Sequence, residues 1–397
     1  DLLTSKLYLM RFKLLFIPLF IATACTSNSG PKKIKTDEFI SQKTQITSET
    51  LTPTQKIQVA LILDTSNSMD GLIEQAKSQL WTIVNHISRL KFENEAPKIE
   101  ISLYEYGNDL IPFKDDFVRK LTNLTTELDS VSECLFALNT NGGEEFCGAV
   151  INQSLSQLEW KNDKSSYKVI FIAGNEPFDQ GTTPFSTSCD LASTKDVYVN
   201  TIFCGDAEEG VRTHWKDGAS SGNGIYMSIS QDEKTQYVNT PFDDSIMSLN
   251  DSLNGTYLYY GSLGNTKFNN VSTQDGNSRS YGIANNVERT VSKSRSVYDN
   301  TSWDLVDASK KEGFDINKIE KSSLPEHLQN CSSDKLTSTI TYNAKHRVQI
   351  QRKIQDLNKK RLDYIAKVNE NENPDGLENA IVQAIISQAS SKGFTYE

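Results

Sequence analysis

Histidine is scarce in this chain. There are four in 397 residues, His86, His214, His327 and His346, and they are widely scattered. No Gly-x-Ser-x-Gly elbow, His-Glu-x-x-His helix or phosphate loop ending in Lys-Ser/Thr occurs, so the common hydrolase and nucleotide sites lack their residues. No Cys-x-x-Cys pair is present, which removes the usual zinc ribbon. Basic excess is missing too: the formal net charge is −10, whereas gripping a nucleic-acid backbone needs clustered Lys and Arg. Outside residues 14–24 no apolar run approaches the roughly 20 residues that cross a bilayer. No repeat of fixed period appears. These absences lead us to expect no enzyme, no nucleic-acid partner, and membrane contact only through an anchor.

That anchor is expected at the start. Met10 is the expected true start, followed by basic Arg11 and Lys13, an apolar run over 14–24, and Ala22-Thr23-Ala24-Cys25. The run is too short to span a membrane and reads as a targeting segment. It resembles a bacterial lipoprotein signal, which implies lipidation of Cys25; ordinary secretion with cleavage near Ala24 is the alternative. Residues 1–25 carry three cations and one acid, so the remainder is near −12 (−10 − 2). Residues 26–55 are Ser, Thr, Gln, Lys and Pro with few apolar positions and read as a flexible tether. The expected location is the bacterial envelope, at the outer membrane facing the periplasm.

From residue 56 the pattern alternates apolar runs with helical spacings, as a parallel α/β sheet requires. Strands are expected over 57–63, 99–106, 168–173, 197–204 and 224–230, with 110–117 as an antiparallel edge. Helices are expected over 72–87, 121–135, 146–158 and 242–253. The first strand ends in Asp64, with Ser66 and Ser68 following at alternate positions. A strand end is where open α/β sheets place ligands, and three hard oxygens there suit Mg²⁺.

Asp64-Thr-Ser66-Asn-Ser68 resembles the first metal-binding loop, Asp-x-Ser-x-Ser, of the von Willebrand factor type A (vWA) domain. The resemblance implies a doubly wound, mostly parallel sheet over residues 56–262, with a divalent cation at its top edge. It further implies a protein-binding, adhesion or assembly role, in which a partner often adds a carboxylate to the metal. The second loop, Asn139-Thr-Asn-Gly-Gly143-Glu144-Glu145, has Glu144 where the family usually has Thr. The third, Ala173-Gly174-Asn175-Glu176, has Gly174 where the family has Asp. The stretches 173–178 and 200–205 resemble a bacterial vWA subgroup of unassigned function. Two readings stand. One is a Mg²⁺ site, with Ca²⁺ or Mn²⁺ as alternatives, using Asp64, Ser66, Ser68 and Glu144. The other is a metal-free scaffold in which the serines cap the first helix. A phosphatase reading would need a second acid at position 66, which is serine.

An oxidising compartment permits disulfides. Cys134–Cys147 and Cys189–Cys204 would close short loops; other pairings, or free thiols, are equally open to the sequence. Residues 263–282 are rich in Asn, Gly, Ser and Thr and are expected as a linker loop. Residues 283–397 are expected to be helical, ending in an αα-hairpin: a basic helix over 340–368, then one from Pro374, capped by Asn373. The hairpin is either an arm that docks a partner or a pair packed on the body.

Overall fold

The computed structural model describes residues 55–230, 238–368 and 377–397. The expected signal, Cys25, the tether, and Asn373 and Pro374 lie outside them. In chain order come β1 (Lys56–Asp64), α1 (Asp70–Ile87), β2 (Leu90–Phe92), β3 (Lys98–Tyr106), β4 (Val118–Lys120), α2 (Leu128–Phe136), α3 (Cys147–Gln157), β5 (Tyr167–Gly174) and α4 (Phe185–Thr194). Next are β6 (Tyr198–Cys204), α5 (Ala207–Arg212), α6 (Trp215–Ser221), β7 (Tyr226–Ile229), α7 (Asp243–Asn254), α8 (Gly264–Ser280) and α9 (Ile283–Lys293). The chain closes with α10 (Leu305–Ala308), α11 (Glu326–Gln329), α12 (Ser333–Val368), α13 (Leu377–Ser391) and β8 (Phe394–Tyr396).

Six strands form one sheet in the order β4-β3-β1-β5-β6-β7, with every pairing parallel except the edge β3–β4. This is the expected doubly wound α/β architecture. Strand β1 is central because it is apolar on both faces. Its two-residue period sends Ile57, Val59, Leu61 and Leu63 into one core and Ala60 and Ile62 into the other. Helices α1 and α13 close the first face, and α3, α4 and α6 the second. The chain leaves β1 for β3 on one side and returns to β5 on the other. The switch point therefore lies between the carboxyl ends of β1 and β5, where Asp64 and Gly174 end their strands.

The antiparallel edge is three residues at Val118–Lys120; residues 110–117, expected to supply it, form turns and the short 3₁₀ helix Phe113–Asp115. The stretch expected as a linker loop is helix α8. Its polar composition hides the few positions that count: Val271, Gln274, Asp275 and Ser278 are buried, facing α2 and α9. Both helices of the expected hairpin are present, as α12 and α13, and the residues that join them lie outside the described residues. Helix α13 lays Leu377, Ile381 and Ile385 against α1 and the sheet, while α12 lays Ile350 and Ile354 against α7 and α9. Each apolar stripe is covered by a different neighbour, so packing on the body accounts for both.

Buried arginines fasten the helical region. Arg289 bonds Asp129 and Asp275, both at 2.6 Å, and lies over the Trp81 ring. Arg361 bonds Asp243 and Glu288 at 3.2 and 2.5 Å. Arg347 joins α12 to Asp304 and Asp307. Each ties elements far apart in sequence. A buried pair contributes little net stability over an apolar isostere, but breaking one typically costs about 3–5 kcal/mol.

All five described cysteines are free thiols, so the two expected disulfides are absent. The sheet separates the members of each pair. Cys134 packs against the core on one face and Cys147 lies in the other; Cys189 and Cys204 are divided in the same way.

Candidate divalent-cation site at the sheet switch point

Asp64 is fully buried at the end of β1. Its Oδ1 accepts the Ser66 N–H at 2.8 Å. Its Oδ2 is buried and has no hydrogen-bond partner. An orphaned carboxylate oxygen is costly unless something positive meets it. Burial pushes the Asp64 carboxyl up to about 7, and the charge of Glu176 adds to this, while the Ser66 N–H and hydroxyl and the Asn175 N–H oppose it.

The serines do not act as caps. Ser66 precedes the 3₁₀ turn Asn67–Met69 and Met69 precedes α1, and neither makes a side-chain cap bond. Instead the Ser66 and Ser68 hydroxyls lie 3.3 Å apart, and Ser68 donates to Asn175 Oδ1 at 3.2 Å. The hydroxyls thus face the strand ends rather than the helix, which counts against the capping alternative.

The second loop supplies a carboxylate, but not the expected one. Glu144 is exposed, whereas Glu145 is buried. The reason is the backbone of the loop. A Cβ on Gly143 would lie 2.4 Å from the Gly107 carbonyl oxygen, so this loop is pressed onto the loop after β3. The contact turns Glu144 outward and Glu145 inward. Glu145 and Asp64 then meet over Gly107: the place of its missing Cβ is 2.9 Å from Glu145 Cγ and 2.8 Å from Asp64 Oδ1. Burial, then the charges of Asp64 and Glu176, push Glu145 up to about 8. The loop is held by the Asn141 N–H to the Thr65 carbonyl at 2.9 Å and by the Thr140 hydroxyl to Asp70.

The third loop contributes no ligand at its strand end. The space beside Gly174 is filled by Tyr106, whose hydroxyl would sit 2.4 Å from a Cβ there. That hydroxyl donates to the Ala173 carbonyl at 3.1 Å and accepts from Cys147 Sγ at 3.7 Å. Glu176 is exposed at the rim, near enough to raise both buried acids.

Asp64, Ser66, Ser68 and Glu145 therefore converge: two carboxylates and two hydroxyls, all hard oxygens. Such a donor set, with one carboxylate oxygen lacking any partner, fits a Mg²⁺-like cation that keeps several waters. Among the described residues no group of three or more His, Cys, Asp or Glu has metal-binding geometry, so the set depends on the serines. The expected residue is Glu144, directly after the glycines as the vWA resemblance implies; the structure leaves Glu144 exposed and turns Glu145 toward Asp64, which the sequence alone does not signal.

No protein-family profile matches the chain, and no curated protein matches it. Solved structures overlap with parts of it. Proximal thread matrix protein 1 from the mussel byssus shares 14% identity over 45% of this chain and 42% of its own, with a TM-score of 0.34. A second structure of that protein, with a zinc-occupied MIDAS motif, gives 13%, 45%, 43% and 0.35. The SpRpn10 VWA domain gives 16% identity over 45% of this chain and 90% of its own, with a TM-score of 0.33. This chain thus spans under half the length of the mussel protein. The overlaps are partial and distant, and the fold assignment rests on the strand order and register described above.

Proposed function

We propose that this chain is a non-enzymatic, protein-binding module of the vWA type. In this reading Cys25 anchors it to the bacterial envelope, and its contact face is the carboxyl edge of the sheet. Asp64, Ser66, Ser68 and Glu145 hold a divalent cation there, with Mg²⁺ the best match to the donors. The observation that carries the reading is the buried, unpartnered Oδ2 of Asp64 beside two uncapped serine hydroxyls and a second buried acid. A cation held there would supply a Lewis-acidic contact for an oxygen donor of a partner. The protein's own residues set the donors: the Ser66 N–H orients Asp64, Asn175 orients Ser68, and the Gly143–Gly107 contact sets Glu145.

Thermal unfolding of the purified protein with Mg²⁺, Mn²⁺, Ca²⁺ or EDTA tests this. A cation at 100 times its Kd stabilises by about 2.7 kcal/mol. The stabilisation should vanish in Asp64→Asn. Glu145→Gln should weaken the cation by about tenfold or more, and Glu144→Gln should leave it unchanged. An envelope partner recovered with Mg²⁺ should be lost with EDTA. No response to any cation would refute the cation-dependent reading and leave a metal-free scaffold.

A further inference from the structure

Residues 345–367 hold eight cations and two acids, in a chain whose net charge is −10. They lie on α12, a single helix of 36 residues. Buried Ile340, Arg347, Ile350, Ile354 and Arg361 mark its inward side. Two of the eight cations are used there: Arg347 on Asp304 and Asp307, and Arg361 on Asp243 and Glu288.

The other six point away from the body. Lys345, Arg352 and Lys359 stand seven residues apart, and so do Lys353, Lys360 and Lys367. Seven residues are close to two turns of a helix with 3.6 residues per turn, so each set forms a row along the axis. A turn of about 100° per residue puts both rows opposite the buried side, and all six side chains are exposed. None forms an ion pair among the described residues, where the ion pairs of α12 run through Arg347 and Arg361 alone. Only Asp356 and Asp363 share the face, which leaves it at +4 (6 − 2). At 1.5 Å per residue the rows extend over about 33 Å.

The chemistry of the face selects its occupant. Protein interfaces are built on aromatic and arginine anchors and are depleted in lysine, whereas five of these six cations are lysines. A lysine ammonium is a hydrated point charge on a flexible stem. Two rows of them suit a surface of repeated negative charge better than a single shaped ligand. Tyr342 and Val348, 68% and 40% exposed, stand one turn either side of Lys345 on the same face. A tyrosine with a polar tip suits the headgroup level of a bilayer.

We propose that the outer face of α12 is a docking surface for an anionic lipid bilayer. The contact is electrostatic and separate from the sheet edge, and it depends neither on the cation reading nor on lipidation of Cys25.

Co-sedimentation with vesicles tests this on the chain from Thr26. That chain keeps every described element and every hydrophobic core, and lacks the apolar run over 14–24 and Cys25. Phosphatidylcholine vesicles with about a third phosphatidylglycerol should bind it, and phosphatidylcholine alone should not. Raising salt from about 0.05 to about 0.5 M should release it, because screening shortens the reach of exposed charges. Each basic charge near such a surface is worth about fivefold in binding. Lys359→Gln should therefore weaken binding about fivefold, and Lys353→Gln/Lys360→Gln about 25-fold. Lys216→Gln, exposed on α6, should change nothing. All of these side chains are exposed, so an unchanged melting temperature should accompany each variant. No binding to the anionic vesicles at about 0.05 M salt, where screening is weak, overturns the proposal; binding of a short DNA duplex in their place would assign the face to nucleic acid. So does a loss in Lys216→Gln equal to that in Lys359→Gln, which would mean diffuse surface charge, and so does equal binding to phosphatidylcholine alone.

Discussion

Replacing Arg347 by methionine should destabilise the protein by about 3–5 kcal/mol at pH 7, the range for breaking a buried ion pair. Arg347 is 2% exposed. Its Nη1 bonds Asp304 at 2.6 Å and Asp307 at 3.0 Å, its Nε and Nη2 bond Thr256 at 2.9 and 2.8 Å, and its guanidinium lies 4.6 Å from the Tyr257 ring centre. Methionine fills much of the volume but leaves Asp304, at 0% exposure, without its counter-charge. The Asp304 carboxyl already sits above its usual 3.8, raised by burial against the opposing pull of Arg347. Removing the arginine raises it further. An acid whose folded pKa exceeds its unfolded value favours folding fully below the unfolded pKa and loses that contribution as pH rises through the folded one. The deficit should therefore be small near pH 4 and grow as pH rises toward 7. Urea unfolding followed by tryptophan fluorescence suits the test, because Trp303 packs on Tyr257 beside the lost contact. Adding Asp304→Asn to the variant should recover part of the loss, since it removes the stranded charge and keeps an acceptor for the buried Leu258 N–H. A deficit below about 1 kcal/mol at pH 7, the range of an exposed pair, would refute the reasoning. So would a deficit that is independent of pH.

Further outcomes can be read from the same structure. Gly174→Asp, which puts the acid of the vWA motif at this position, should lower stability by about 1–3 kcal/mol, because its Cβ meets the Tyr106 hydroxyl; an unchanged melting temperature would contradict that account. Burial and the neighbouring Glu288 push Glu378 up to about 7. Also near it are His86, 3.6 Å away, which burial pushes down, and Tyr396. Glu378 should favour folding below about pH 4.5 and lose that contribution as pH rises through 7, so Glu378→Gln should gain on the parent protein between pH 5 and 8 in paired unfolding curves. Cys134 and Cys331 should react with a thiol reagent in the native state, while the buried Cys147, Cys189 and Cys204 should react only after unfolding. Reductant should leave the melting temperature unchanged, whereas a short-loop disulfide would lose about 3 kcal/mol on reduction.

The sheet was legible because its signal is local and redundant. Residues 57–63 are apolar apart from Gln58, a run that suits a strand covered on both faces, and β1 lies inside the sheet between β3 and β5. Helix α8 was not legible, because its helicity is imposed from outside. Asn, Gly, Ser and Thr dominate it, and local propensity disfavours such a helix. It is held by Asp275 reaching Arg289 and Lys293 and by Gln274 accepting from Ser132 at 2.8 Å. Contacts of that kind join residues far apart in sequence and leave no periodic trace. The same holds for α12 and α13, whose stripes announce burial but do not name what covers them.

The candidate site divides along the same line. Asp64, Ser66 and Ser68 belong to one turn, so their convergence follows from spacing alone. The rest is set by fit between segments. Tyr106 fills the space beside Gly174, so the strand end that supplies an acid in the family has no room for one here. Gly143 pressed on Gly107 brings Glu145 to Asp64. The second loop thus places a carboxylate beside Asp64, while the third has none at its strand end. In the cation site proposed above, both differences from the vWA motif would follow from the packing around Gly107, Tyr106 and Gly174. It also predicts that the two loops are coupled. In a Gly174→Asp/Tyr106→Phe protein, where the hydroxyl no longer blocks the new side chain, the added acid should make Glu145 dispensable for the cation. Glu145→Gln should then cost far less than its tenfold in the parent background, a difference that a double-mutant cycle on cation affinity reads directly. Equal losses in the two backgrounds would mean that Glu145 is not the replacement for the missing acid.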